Sequence, residues 1–323
     1  MKVIFSRISA VLCVFLLSAC NIGGTTASTK NAAPSTINIV PLVVDDGYNG
    51  AGVNVPYITV TLCQSGTNNC QIIDHVLVDT GSTGFRINQS ALSLNNLTPI
   101  TYQGQQLYQC MQYGAGYAFG PVVSADLNMA GEVAENIPIQ IFNDINQNIV
   151  PGSCSESMPF ANLADSGAKA IIGINVFSNP NNNYTSGGVY TCTGNSCSEI
   201  SNPEDIPQVL NINPISAFNI DNNGAILTLP QVLESSNQPL IGSLIFGLNT
   251  QNNNTVPTSI NTIAASPDAS YPAGYFGAQS EGESSPATAL FDSGTNVLVF
   301  SSSLIAQCNN DSGAYCPSPS PQN

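Results

Sequence analysis

A chain of 323 residues, 42% of them hydrophobic, can fill the core of one large domain or two lobes, which excludes a disordered chain. Only 8% of residues are charged while Gly, Pro, Asn, Ser and Thr abound, a balance that favours short strands and tight turns and points to an all-β fold. The formal net charge of −15 repels phosphate backbones and speaks against nucleic acid as a partner.

The N-terminus carries Lys2 and Arg7, then an apolar run from Ile8 to Leu17 that is too short to span a bilayer and has the form of a secretory signal, so residues 1–19 are expected to be removed on export. Leu17-Ser18-Ala19-Cys20 resembles the lipobox of bacterial lipoproteins. That resemblance implies cleavage before Cys20, acylation of its thiol and attachment to a membrane through the lipid. With Asn21 following the cysteine, it also implies the outer membrane of the bacterial cell envelope, facing the periplasm or the exterior. Loss of the signal leaves Lys30, Arg86 and Lys169 against 20 acids, a net charge of −17 that suits mildly acidic surroundings. Residues 20–38, rich in Gly, Thr, Ser and Ala without an apolar period, read as a flexible tether, and folding is expected to begin near Ile39.

Pro56 to Cys63 alternates Ile58, Val60 and Leu62 with Tyr57, Thr59 and Thr61, and Ile72 to Val78 is apolar and β-branched, so both read as strands. Ile137 to Phe142, Ala225 to Leu229 and Leu240 to Leu248 continue the series. Asn181-Asn182-Asn183 and Asn252-Asn253-Asn254 read as exposed loop tips. Ten cysteines include Cys13 in the signal and Cys20, leaving eight in an exported chain, an even number suited to disulfides. Proximity nominates Cys63 with Cys70, Cys192 with Cys197 and Cys308 with Cys316, leaving Cys110 for Cys154 among the many possible connectivities. His75 is the only histidine and the spacings are not those of a zinc finger, so neither metal nor cofactor is expected.

One short segment repeats: Leu77-Val78-Asp79-Thr80-Gly81-Ser82 is echoed by Leu290-Phe291-Asp292-Ser293-Gly294-Thr295. Two lobes, 39–215 and an incomplete 216–323, would each supply one copy. Hydrolysis of a peptide without a metal needs one carboxylate to take a proton from water and one carboxyl to polarise the carbonyl, and two facing aspartates supply both. Like charges that close cannot both ionise easily, so the pair shares a proton. In each copy a small hydroxyl residue and a glycine follow the aspartate. Thr80 and Ser293 can then bond across the lobe interface, while Ser82 and Thr295 can orient their own carboxylates.

Val78-Asp79-Thr80-Gly81-Ser82-Thr83-Gly84-Phe85 and Phe291-Asp292-Ser293-Gly294-Thr295-Asn296 resemble the two active-site loops of pepsin-like aspartic peptidases. Gln112-Tyr113-Gly114-Ala115-Gly116 resembles that family's flap, with Tyr113 closing over the substrate and Gly114 and Gly116 at the tip. Ala170-Ile171-Ile172-Gly173-Ile174 resembles the strand that crosses behind the first catalytic loop, with Gly173 at the crossing. The resemblance runs from about Tyr57 to Phe300. In detail it extends to a bacterial lipoprotein family catalogued only as a domain of unknown function, through Asp74-His75-Val76-Leu77-Val78, Arg86 and the Asn222-Asn223-Gly224 turn.

The resemblance implies a bilobal acid-protease barrel fold and an aspartic endopeptidase acting on a polypeptide in the inter-lobe cleft. The alternative is a non-catalytic lipoprotein that binds peptide or glycan on the same fold, and a purely structural envelope role ranks last. Two departures stand out. Arg86 occupies the place of a large aromatic, where it would either lower the pKa of the pair or form a structural ion pair. Only 31 residues follow Asp292, with no second crossing strand visible, so activity of this chain is in question.

Overall fold

Branched and aromatic residues alternate with Thr, Ser and Gln along most of the chain, and the backbone takes the extended form that this period favours. The computed structural model describes residues 38–113, 116–143, 149–155, 167–176, 187–206, 209–229, 239–260, 262–265, 271–272, 288–296, 306–308 and 311–315. These belong to one unit, Thr36–Asn323. The signal peptide, Cys20 and the tether up to residue 37 lie outside the described residues, as do Gly114, Asn181-Asn182-Asn183 and Cys316.

The strands run in chain order as β1 (Ile39–Asp45), β2 (Val55–Cys63), β3 (Cys70–Asp79), β4 (Thr83–Asn88), the short β5 (Thr98–Pro99) and β6 (Thr101–Tyr102), and β7 (Gln105–Tyr113). Next come β8 (Gly116–Met129), β9 (Glu132–Phe142), β10 (Ala170–Ile174), β11 (Val189–Thr193), β12 (Ser196–Glu199), β13 (Ala225–Thr228) and β14 (Leu240–Phe246). The two-residue strands β15 (Tyr271–Pro272) and β16 (Thr288–Ala289) pair with each other, as do β17 (Gln307–Cys308) and β18 (Asp311–Tyr315). Helical structure among the described residues is limited to single 3-10 turns such as Gln89–Ala91 and Pro214–Ala217, so the protein is all-β as its composition anticipates. β9 starts five residues before the expected Ile137, because Glu132 and Val133 already pair with β8 across a tight turn.

Strands β1 to β14 form one mixed sheet whose main path runs β12-β11-β7-β8-β9-β4-β10-β3-β2-β1-β14-β13. β2 also pairs with β8, which closes a ring through β8, β9, β4, β10, β3 and β2. Closure leaves those strands without a free edge and gives them a common inner face. Leu62, Val76, Val78, Ile87, Ile139 and Ile172 are buried in it. β1 carries the same pattern outward, burying Val40, Leu42 and Val44 while it pairs antiparallel with β14.

Cys63–Cys70 clamps the facing ends of β2 and β3, and Cys192–Cys197 does the same for β11 and β12. Cys110–Cys154 ties β7 to the segment 149–155. These are the pairs that proximity and elimination nominate, and Cys308 is also disulfide-bonded. Of Asn252-Asn253-Asn254, expected as an exposed tip, Asn252 and Asn253 are exposed and only Asn254 departs. Asn254 is buried, and its side-chain amide donates to the Phe246 carbonyl (2.9 Å) and to the Thr250 hydroxyl (2.7 Å), closing the turn after β14 from within.

Candidate active site

Asp79 ends β3, after Val76, Leu77 and Val78, all buried, so its base is fixed by the ring while its carboxyl emerges at the turn into β4. The Gly81 amide donates to Asp79 Oδ1 (2.8 Å) and the Ser82 hydroxyl donates to Oδ2. Asp292 has the same dressing: the Gly294 amide donates to Oδ1 (2.8 Å) and the Thr295 hydroxyl to Oδ2 (2.6 Å). One small hydroxyl three residues on and one glycine amide two residues on therefore orient each carboxylate, as the repeated segment suggests.

The two loops are cross-linked by four hydrogen bonds. The Thr80 hydroxyl donates to the Phe291 carbonyl (2.7 Å) and accepts from the Ser293 amide (2.9 Å). The Ser293 hydroxyl donates to the Val78 carbonyl (2.5 Å) and accepts from the Thr80 amide (3.1 Å). This exchange brings the aspartates face to face. A Cβ placed on Gly81 would lie 2.8 Å from the Asp292 carboxyl carbon, and one on Gly294 would lie 3.2 Å from Asp79 Oδ1. A side chain at Gly81 would displace the facing carboxyl, and one at Gly294 would crowd it.

Asp79 is 5% exposed, and burial first, then the charge of Asp292, push its pKa up to about 7. The bonds from Ser82 and Gly81 oppose that rise without cancelling it. Asp79 therefore keeps a proton well above the usual carboxylate range, and a pair holding one proton can accept at one oxygen and donate at another. Among the described residues no three His, Cys, Asp or Glu side chains cluster in a way that could hold a metal ion.

Tyr113 is the last residue of β7 and pairs with Gly116 of β8, so it stands at the tip of the β7–β8 hairpin. Its hydroxyl is buried, the Arg86 guanidinium carbon lies 5.9 Å from the centre of its ring, and burial raises its pKa against the opposing charge of Arg86. Arg86 itself is buried among neutral groups. Nη1 donates to the Thr83 carbonyl and Nη2 to Asn211 Oδ1, both at 2.7 Å. Of the two sequence-based expectations for Arg86, the structural ion pair is not met: it forms no ion pair among the described residues. Asn211 was not identifiable from the sequence, where nothing distinguishes it from the other asparagines of an Asn-rich chain.

His75 lies on β3 at a positive φ of 51°, where the β2–β3 register shifts between Ile58 and Val60. The irregularity breaks the alternation that would otherwise place His75 and Asp79 on one face. His75 packs against Tyr57 and pairs with Asp74, away from the dyad.

β10 threads between β3, to which it is parallel, and β4, to which it is antiparallel, so that Gly173 faces both Asp79 and Gly84. A Cβ on Gly173 would meet the Ser82 and Thr83 backbone at 2.6 Å, so the crossing requires glycine. No described strand pairs with Leu290 to Asp292. Correspondingly Leu77 and Val78 are 5% and 0% exposed, whereas Leu290 and Phe291 are 52% and 56% exposed.

The site of this all-β chain is thus two Asp-hydroxyl-Gly turns set face to face. Residues 34–323 match the family described as "Protein of unknown function (DUF3443)", and the chain belongs to that family. Among curated proteins the sequence has no match. Of solved structures it is similar to the aspartic proteinase from Irpex lacteus, at 16% identity and a TM-score of 0.41 over 72% of this chain and 54% of that one. The chain thus spans about half the length of that proteinase.

Proposed function

We propose that the protein is an aspartic-type endopeptidase of the bacterial cell envelope, tethered by a lipid on Cys20 and acting on polypeptides laid between the β7–β8 hairpin and the aspartate pair. The observation that carries this reading is the reciprocal locking of Thr80 and Ser293, which holds two identically dressed carboxyls in opposition. A water between them would lose its proton to the ionised carboxylate as it attacks the scissile carbonyl. The protonated carboxyl would donate to the carbonyl oxygen, leaving a tetrahedral diol that collapses with proton transfer to the leaving amine. The N-terminal apolar run and lipobox-like segment support export and anchoring.

The test is hydrolysis of an unfolded polypeptide by the oxidised protein, followed by mass spectrometry across acidic to neutral pH. Turnover abolished in both Asp79→Asn and Asp292→Asn is expected. Turnover that survives either substitution removes the dyad mechanism.

The exposure of Leu290 and Phe291 favours a second reading, peptide or glycan binding without hydrolysis, because the second loop has less support than the first. It differs in outcome: ligand retention measured by calorimetry would persist in Asp79→Asn, and wild type would cleave nothing.

A further inference from the structure

Arg86 is 1% exposed, and its guanidinium keeps a permanent positive charge. It donates to two neutral acceptors, the Thr83 carbonyl and Asn211 Oδ1, and forms no ion pair among the described residues. A buried charge without a counter-ion is costly, and an apolar side chain of similar volume would fill the space without that cost. Packing alone therefore does not explain an arginine at this position.

The strand register shows what surrounds it. Phe85 and Ile87 fill the inner face of the ring, so Arg86 between them points to the outer one. Arg86 on β4 stands beside Gln140 on β9, Gln140 beside Val122 on β8, and Gln109 on β7 beside Gly120, two residues before Val122. Paired residues, and residues two apart on one strand, share a face, so Gln140 and Gln109 lie on the outer face with Arg86. Ile206 and Leu210 pack on Val122, and the next residue, Asn211, reaches Arg86.

All four of these polar side chains are at most 2% exposed, and each has an atom without a hydrogen-bond partner: Arg86 Nε, Gln109 Nε2, Asn211 Nδ2 and Gln140 Oε1. Turning over the amides of Gln140 and Asn211 does not cure this. Gln140 Nε2 already donates to the carbonyls of Gln109 (2.6 Å) and Ala118 (3.2 Å), and Asn211 Oδ1 already accepts from Arg86. The balance is three nitrogen donors against one oxygen acceptor, beside an uncompensated positive charge. Water would satisfy the hydrogen bonds and leave the charge. A cation is repelled, and one guanidinium among neutral amides suits a single negative charge.

We propose that this buried face binds one small monovalent anion, of the class of chloride, against Arg86 Nε, with the free amide hydrogens of Asn211 and Gln109 as its further donors. The anion is the counter-ion that the described residues do not supply to Arg86, and in binding it ties β4, β7 and the segment that ends at Asn211 to one another. The inference does not depend on the peptidase reading.

Equilibrium unfolding of the full chain tests this, with chloride exchanged for gluconate, an anion too large for a buried face, at fixed ionic strength. Above half-saturation the folded-to-unfolded ratio of wild type should rise about tenfold for each tenfold rise in chloride, the dependence of one site per chain. Arg86→Met should lose that dependence. Should it not fold, Asn211→Asp serves: the carboxylate introduced beside Arg86 supplies the counter-ion within the chain. Chloride should then no longer stabilise, and the ratio in gluconate should exceed that of wild type by at least about tenfold. In crystals grown with bromide an anomalous peak is expected within hydrogen-bonding distance of Arg86 Nε. Wild-type stability equal in the two salts, which would mark bound water only, overturns the proposal. A chloride dependence that survives in either variant, or a bromide peak only elsewhere, overturns it as well.

Discussion

Thr80 and Ser293, separated by 213 positions, each receive the other's backbone amide on a side-chain hydroxyl and spend the hydroxyl proton on the opposite loop's carbonyl. Thr80→Val keeps the shape and removes one hydroxyl, leaving the Ser293 amide and the Phe291 carbonyl without these partners. The expected loss is roughly 1–3 kcal/mol, confined to the second loop. Hydrogen exchange should rise at residues 290–295 and stay unchanged in β3 and β10, and Thr80→Ser should restore protection.

Two glycines separate the site from its scaffold. Gly81 has ordinary negative φ, so Ala fits its backbone, but the added methyl would stand 2.8 Å from the Asp292 carboxyl carbon. Gly81→Ala should therefore leave the melting temperature within a few degrees of wild type while a peptide carrying a tetrahedral-diol mimic loses at least about a hundredfold in affinity, measured by calorimetry. In Gly173→Ala the methyl meets Ser82 and Thr83 backbone at 2.6 Å and neither can yield cheaply. That variant should lose about 1–3 kcal/mol in denaturant titration as well as the ligand.

The all-β class and the first loop were legible because they rest on local pattern. Apolar alternation marks the strands, and the Asp-hydroxyl-Gly repeat specifies its own turn whatever surrounds it. Arg86 was not legible, since its meaning depends on Asn211, which meets it only after the chain has passed through β10 and back. Asn254 misled for a related reason: an asparagine run has the composition of a loop tip, yet one member turns inward to bond the Phe246 carbonyl, and composition carries no direction. The register shift beside His75 is likewise a property of the β2–β3 pair and not of either strand.

The disulfides should differ in weight. Cys110–Cys154 spans 44 residues and Cys63–Cys70 spans 7, so a chain-entropy account assigns about 4 and about 2 kcal/mol to them. Replacing Cys110 and Cys154 together by Ala should lower the denaturant midpoint more than the same change at Cys63 and Cys70. It should also loosen β7 specifically, because Cys110 lies on that strand. Equal shifts for the two pairs would contradict the ranking.

The elevated pKa of Asp79 has a definite consequence for stability. An unfolded aspartate ionises near pH 4, whereas Asp79 in the folded chain holds its proton to about pH 7. Between those values the folded state binds more protons than the unfolded one, so the contribution of Asp79 is fully present below about pH 4 and is lost as pH rises through about 7. Asp79→Asn cannot ionise and should be more stable than wild type at pH 8, by roughly 2–4 kcal/mol, with the two converging near pH 4. Burial also raises the pKa of Glu132, with the nearby charge of Asp221 adding to the effect, so Glu132 contributes a slope of the same sign. Guanidinium titrations of wild type, Asp79→Asn, Glu132→Gln and the double variant across that range separate the two groups. A wild-type stability that rises from pH 4 to 8, or an Asp79→Asn variant no more stable than wild type at pH 8, would show that the pair does not hold its proton.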